Sequence, residues 1–195
     1  MKYKNIVFDF GNVLAVFEER RILSSFCKEE DMEILSKAVF YNWQILDEGN
    51  LAYDAYIRHA LSLLPERLSE NAYNFFQNWH KMLTPVKEIW ALVHELKKLG
   101  YKLYILSNAP THFEEHADYF EIVKEFDGAV FSGSVNMWKP NSDIYQHLFE
   151  KYQLNPVDCF FIDDRADNIA AAKSCGMDGI VFNGNVNAIK SALRL

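Results

Sequence analysis

Three cysteines in 195 residues (Cys27, Cys159 and Cys175) are too few, odd in number and too unpatterned for a disulfide framework or a thiolate metal site. No CxxC pair occurs, and two of the three sit in apolar or helical contexts, so they read as reduced core thiols. Basic residues are also scarce: 20 Lys and Arg stand against 27 Asp and Glu, a net charge of −7. A nucleic-acid surface needs a basic face, so that partner is excluded. An anionic substrate would need a local positive site instead, such as a metal or a placed lysine. No apolar run approaches the ~20 residues of a membrane span, and the first residues enter a strand with no signal peptide ahead of them. The expectation is a cytoplasmic protein, monomer or homodimer, with no membrane partner. Internal repeats and low-complexity segments are lacking too.

What the chain does have is hydrophobic residues at 50% of positions, enough to bury a core in one domain carrying an insertion. In "NIVFDFGNVL" (5–14), Ile6, Val7, Phe8 and Phe10 read as a buried strand carrying Asp9 into a Gly-Asn turn. From residue 85 onward strands and helices alternate. Thr84 and Pro85 read as N-cap and first position of a helix over "VKEIWALVHELKKLG", which Gly100 stops. Strands are expected over "YKLYILSN" (101–108), "GAVFS" (128–132), "DCFFIDD" (158–164) and "GIVFN" (179–183). Helices are expected over about 111–124, over 142–152 and over "NIAAAKSCG". Such alternation implies an α/β fold, a Rossmann-like parallel sheet with helices on both faces. Residues 17–83 differ, with no strand and at least four helical segments: "RRILSSFC", "DMEILSKAVFYNW", "AYDAYIRHALSLL" and "ENAYNFFQNWHKML". "LDEGNL" and "LPERLS" punctuate them. This section reads as a helical cap (17–83) inserted into a core of 1–16 and 84–195.

Three strands end in polar residues: Asp9, then Ser107-Asn108, then Asp163-Asp164. In an open parallel sheet, ligands bind beyond the carboxyl ends of the strands. If the strands of Asp9 and of the Asp pair are neighbours, three carboxylates converge, and their repulsion calls for a cation. Oxygen donors without Cys or His beside them favour Mg2+. The plainer alternative, that each acid caps the helix after it, suits a single strand end such as that of Asp164 better than three in order.

The chain resembles the haloacid dehalogenase-like (HAD) superfamily, in the branch with a helical cap after the first motif. "FDFGNVL", "ILSN", "WKPNSDIY" and "FFIDDRADNIAAA" match the family's four motifs in order and span nearly the whole chain. The resemblance implies a five-stranded core of order 5-4-1-2-3, which sets the first and fourth core strands side by side. It implies Asp9 as nucleophile, forming an aspartyl-phosphate. Ser107 and the backbone N–H of Asn108 would hold the phosphoryl oxygens, and Lys139 would neutralise charge on Asp9 and the phosphoryl group. Mg2+ would be held by Asp9, the Gly11 backbone carbonyl and Asp164, with Asp163 acting directly or through water. Asn168 stands where the family often has a further Asp. The implied activity is magnesium-dependent hydrolysis of a small phosphorylated metabolite, in particular a sugar phosphate.

Position 11 departs from the pattern, since most phosphatases of the family carry there the Asp that protonates the leaving oxygen and then activates water. Such help is worth roughly 10² to 10⁴ in rate. Three readings stay open. The substrate has an easy leaving group, such as an anomeric or acyl phosphate, as in the bacterial α-glucose-1-phosphate phosphatase group, whose first motif is similar. Alternatively His112, Glu18, Asp47 or Glu48 stands in. Or the protein is a catalytically weak binding or sensor protein. The dehalogenase branch fits poorly, because it carries an aromatic residue in place of the glycine. His112, Glu115 and His116 read as an exposed helical face rather than a metal site. Phe40, Tyr41, Trp43, Tyr53 and Tyr56 read as cap core; Trp138 and Arg165 stand evenly between structural and pocket roles.

Overall fold

The computed structural model describes residues 2–195. Its strands are β1 (Asn5–Phe8), β2 (Ala15–Val16), β3 (Thr84–Pro85), β4 (Lys102–Ser107), β5 (Gly128–Phe131), β6 (Cys159–Asp163) and β7 (Asp178–Val181). Five form one parallel sheet in the order β5-β4-β1-β6-β7. Counted among themselves they run 5-4-1-2-3. β1 is central, with Phe8 level with Ile105 on one side and Ile162 on the other. It is apolar at Ile6, Val7 and Phe8 because both faces of the sheet are covered. Alternate residues point to opposite faces: Ile6 and Phe8 join one buried cluster, and Val7 joins the other.

The helices are α1 (Glu19–Ser24), α2 (Met32–Val39), α3 (Gln44–Asp47), α4 (Tyr53–Ser62), α5 (Ser69–Asn78), α6 (Lys87–Lys98), α7 (Thr111–Glu115), α8 (Ser132–Val135), α9 (Ser142–Tyr152), α10 (Ala166–Ser174) and α11 (Val186–Leu193). α1 to α5 form the inserted helical cap, and Phe75, Phe76 and Trp79 carry the larger hydrophobic cluster from cap into core without a break. The second cluster lies on the opposite face, where Ile144, Tyr145 and Leu148 of α9 cover Val7 and Phe161.

Four local features depart from the sequence expectation. Thr84 and Pro85 do not start a helix: they pair antiparallel with Val16 and Ala15, and α6 begins only at Lys87. A proline fits there because this two-stranded ribbon has no further neighbour to receive its missing N–H. The helix expected over 111–124 stops at Glu115 and continues as two 3₁₀ segments, Ala117–Tyr119 and Glu121–Glu125. There the His116 Nδ1 bonds the His112 carbonyl at 2.8 Å, and the His116 N–H turns to Phe113 instead. The side chain has taken the acceptor that another α-turn would use. α3 lies in "LDEGNL" and the residues before it, a stretch that reads as punctuation, and α11 carries its own signal, an Asn185 side chain accepting from the Ala188 N–H.

Candidate active site

Beyond the ends of β1, β4 and β6 the polar residues converge around one ammonium group. Lys139 comes from the loop ahead of α9 and is 3% exposed, yet all three of its protons have acceptors. Its Nζ lies 2.9 Å from Asp9 Oδ1, 2.7 Å from Asp163 Oδ2 and 2.9 Å from the Leu106 carbonyl. Burial opposes its charge, but Asp9 and Asp163 more than offset that and hold its pKa above the usual lysine value. Burial likewise pushes Asp9 up to about 6, against the pull of Lys139. Asp9 Oδ1 also accepts the Phe10 N–H at 2.7 Å, so both contacts fall on one oxygen, and the residue lines the polar cavity.

Asp163 is fully buried and its carboxylate is saturated. Oδ2 receives Lys139 and Asn168 Nδ2; Oδ1 receives Asn168 Nδ2 and the Arg165 N–H, all at 2.7 to 3.1 Å. The direct metal ligation expected as one option for Asp163 finds no free lone pair here; its carboxylate holds Lys139 and Asn168. Asp164 is different. Its one side-chain contact is with Asn12 Nδ2 at 3.3 Å, it caps no helix, and burial raises its pKa. Asp9, Asp163 and Asp164 each offer an oxygen within 4.8 Å of the others.

Ser107 is buried at the end of β4 and lines the same cavity as Asn108. The Asn108 side chain has a role that its sequence position did not show: it donates to the Lys139 carbonyl and accepts the Lys139 N–H, both at 2.8 Å. That pair of bonds locks the β4 loop to the lysine loop. The Arg165 guanidinium forms a two-pronged pair with Asp167, not with Asp163 or Asp164, although its backbone N–H donates to Asp163. Trp138 lines the cavity next to Lys139.

Two cavities meet at Gly11, Asn12, Asp47 and Asn108. The polar one, of 390 Å³, is lined by Asp9, Asn108, Trp138, Lys139, Asp164 and Asn168 among others. The other, of 240 Å³, runs between cap and core; the rings of Phe10, Phe17, Trp43, Trp79 and Phe113 line much of it, with Asn12, Asp47, Ser107 and Asn108 at its polar end. Of the cap aromatics expected in the core, Tyr56 is fully buried, whereas Trp43 is half-buried and faces this cavity.

His112 is not on an exposed face. It is buried and stacks on Tyr53 with centroids 4.5 Å apart and planes 4° from parallel. His116 lies 4.3 Å from it, and His80, from the last turn of the cap, lies 4.7 Å from His116. Burial, reinforced by the neighbouring imidazoles and Lys81, pushes His80 and His112 down to about 4. An unfolded imidazole titrates near 6.5, so between these values the unfolded chain binds more protons. These groups therefore contribute stability that is full above about 6.5 and is lost as pH falls toward 4. Asp9 and Asp47, whose pKa values are raised, carry the opposite slope, so the comparison is between parent and variant. His80→Gln removes one titrating group, and its melting temperature is expected to fall less steeply with acidification than the parent's.

A family model for haloacid dehalogenase-like hydrolases matches residues 3–176. The chain belongs to that family. Among relatives of this HAD-like hydrolase, a sesquiterpene phosphatase of Aspergillus oryzae is 26% identical over 179 residues, 91% of this chain and 89% of its own. A D-ribitol-5-phosphate phosphatase of Bacteroides thetaiotaomicron is 25% identical over 194 residues, covering 90% of this chain and 89% of its own. The fold of this chain is shared with a solved HAD family enzyme of B. thetaiotaomicron, an aspartate-to-alanine variant in complex with magnesium and inorganic phosphate. That structure superimposes with a TM-score of 0.76 at 21% identity, over 94% of this chain and 95% of the other. No helix among the described residues is long and apolar enough to cross a membrane.

Proposed function

We propose that this HAD-like hydrolase is a magnesium-dependent phosphatase of a small phosphorylated metabolite, with residues 1–16 and 84–195 as the catalytic core and 17–83 as its cap. The observation that carries the reading is the buried Lys139 ammonium held against Asp9, with Asp164 alongside and Ser107 and Asn108 next to them. The donor set suits a hard cation: clustered carboxylates with no Cys or His among them. Asn168 adds a buried Oδ1 without a protein partner in the same cavity, an acceptor of the kind a cation-bound water requires. Asp9, Asp164 and the Gly11 carbonyl would hold the ion, with Asp163 acting from behind them. Bound there, magnesium supplies charge neutralisation for the phosphoryl oxygens.

The remaining work belongs to side chains. Asp9 attacks phosphorus and becomes an aspartyl-phosphate. Ser107 and the Asn108 N–H hold phosphoryl oxygens in place, and Lys139 offsets negative charge on both partners. The cap closes over the strand ends and excludes water. Its aromatic cavity favours an organic group with a broad apolar face, while Asn12, Asp47, Ser107 and Asn108 at its polar end offer hydrogen bonds to a hydroxylated one such as the sugar phosphate expected from the sequence.

Phosphate release across prenyl, aryl, anomeric-sugar and polyol phosphates, with and without magnesium, tests the reading. Magnesium is also expected to raise the melting temperature of the parent, because it binds the folded carboxylate cluster and not the unfolded chain. Asp164→Ala should lose that response. Activity and melting temperature that both ignore EDTA would contradict the assignment.

A further inference from the structure

Gly11 is not required by the backbone. It does not adopt a positive φ, and a Cβ built on it meets no atom within 4 Å. The place where a carboxyl at position 11 would extend is open cavity, and the residue lining both cavities with Gly11 from the cap is Asp47. Resting on the phosphatase reading, we propose that Asp47 performs the two proton transfers that position 11 cannot.

The other three candidates are each engaged or displaced. His112 is stacked on Tyr53 within the imidazole cluster and lines neither cavity. Glu18 is exposed and lines neither. Glu48 lines the polar cavity, but its two oxygens accept from Gln44 Nε2 at 2.6 Å and Asn50 Nδ2 at 2.8 Å. Asp47 has an Oδ1 that is shut off from solvent and has no hydrogen-bond partner.

Its backbone is fixed to the core as well as to the cap. The Ser132 hydroxyl donates to the Asp47 carbonyl, and Asn136 Nδ2 donates to the Gly49 carbonyl at 2.8 Å. Gly49 sits at φ +72°, and a Cβ there would come within 2.4 Å of the Gly133 carbonyl oxygen. The turn after α3 can therefore lie flush on α8 only as glycine, and this contact delivers Asp47 to the strand ends. Around its carboxyl stand Asp9 at the end of β1, Glu48 beside it, Lys139 from the loop before α9, and Trp43. Burial pushes Asp47 up to about 7, Asp9 and Glu48 adding to the rise and Trp43 and Lys139 opposing it. A carboxyl titrating near neutrality serves as acid and base in turn.

In the first step an Asp9 oxygen bonds to phosphorus and the bond from phosphorus to the leaving oxygen breaks. The Asp47 carboxyl gives that oxygen its proton and releases the alcohol. In the second, the Asp47 carboxylate takes a proton from water as the water oxygen bonds to phosphorus. The Asp9–phosphorus bond breaks, which frees inorganic phosphate and returns both carboxyls to their starting states.

The test is Asp47→Asn, assayed with magnesium on alkyl and aryl phosphates. Turnover of alkyl phosphates is expected to fall about 10² to 10⁴-fold. Aryl phosphates should give an undiminished burst of phenol followed by slow turnover, since only their second step needs the base. Asp47→Ser, which removes the carboxyl without filling its space, should behave alike. Gly11→Asp placed on either variant should restore alkyl turnover, which a merely structural role for Asp47 would not permit. Loss of the aryl burst along with alkyl turnover, an unchanged alkyl rate, or no rescue overturns the proposal. A parent that releases phosphate from no ester overturns the phosphatase reading first and this one with it.

Discussion

Asp9→Asn is expected to abolish phosphate release while the protein remains folded. The amide keeps the shape of the carboxylate and can still accept the Phe10 N–H, but it cannot attack phosphorus. A loss of about 10⁴-fold or more, ~5 kcal/mol of barrier, is the scale for removing the group that forms the covalent intermediate. Rapid-quench labelling should find phosphate on the parent and none on the variant. Circular dichroism should match between them, because Lys139 retains Asp163 and the Leu106 carbonyl. Full activity in the variant would remove Asp9 from the mechanism.

Lys139→Met should produce the largest loss of stability. The lysine is 3% exposed and Asp163 is 0% exposed, so deleting the ammonium leaves two carboxylates facing each other in a low-dielectric interior. Breaking a buried pair from one side costs about 3 to 5 kcal/mol, which for a chain of this size lowers the melting temperature by about 10 °C. The deficit should shrink on acidification, because a protonated carboxyl no longer needs a counter-charge. Urea unfolding at neutral and acid pH measures both effects. A variant as stable as the parent at neutral pH would mean that the ion triad is not an interdependent unit.

Much of this was legible in the sequence, and the reason is local. Core strands such as "NIVF" and "CFFID" are continuous apolar runs that end at a polar residue, so their existence and their chemical ends can be read together. Motif order then placed Asp9, Lys139 and Asp164 around one point. Contacts between distant segments stayed hidden. Nothing near His80 announces that it packs against His112 and His116, and the side chain of Asn108 shows its grip on Lys139 only when the two loops meet. Asp163 and Asp164 are indistinguishable as letters; only burial and four hydrogen bonds from three donors separate the positioning carboxylate from the open one. Asp47 lay in a stretch whose glycine reads as a break, because the docking that makes it useful is made by α8, far along the chain.

The ribbon of β2 and β3 brings the chain's departure from the core and its return side by side, Val16 against Thr84. From the core's standpoint everything between is one long loop whose ends are already tied. Doubling the length of such a loop costs only about 0.6 kcal/mol in chain entropy. Insertions, deletions and whole replacements between Val16 and Thr84 are thus cheap in chain entropy for the core that carries Asp9 and Lys139, provided the new segment covers Phe10 and Phe113. A laboratory can attempt a graft at the same two residues and keep the nucleophile and the lysine, but the new segment must also supply the carboxyl that Asp47 brings.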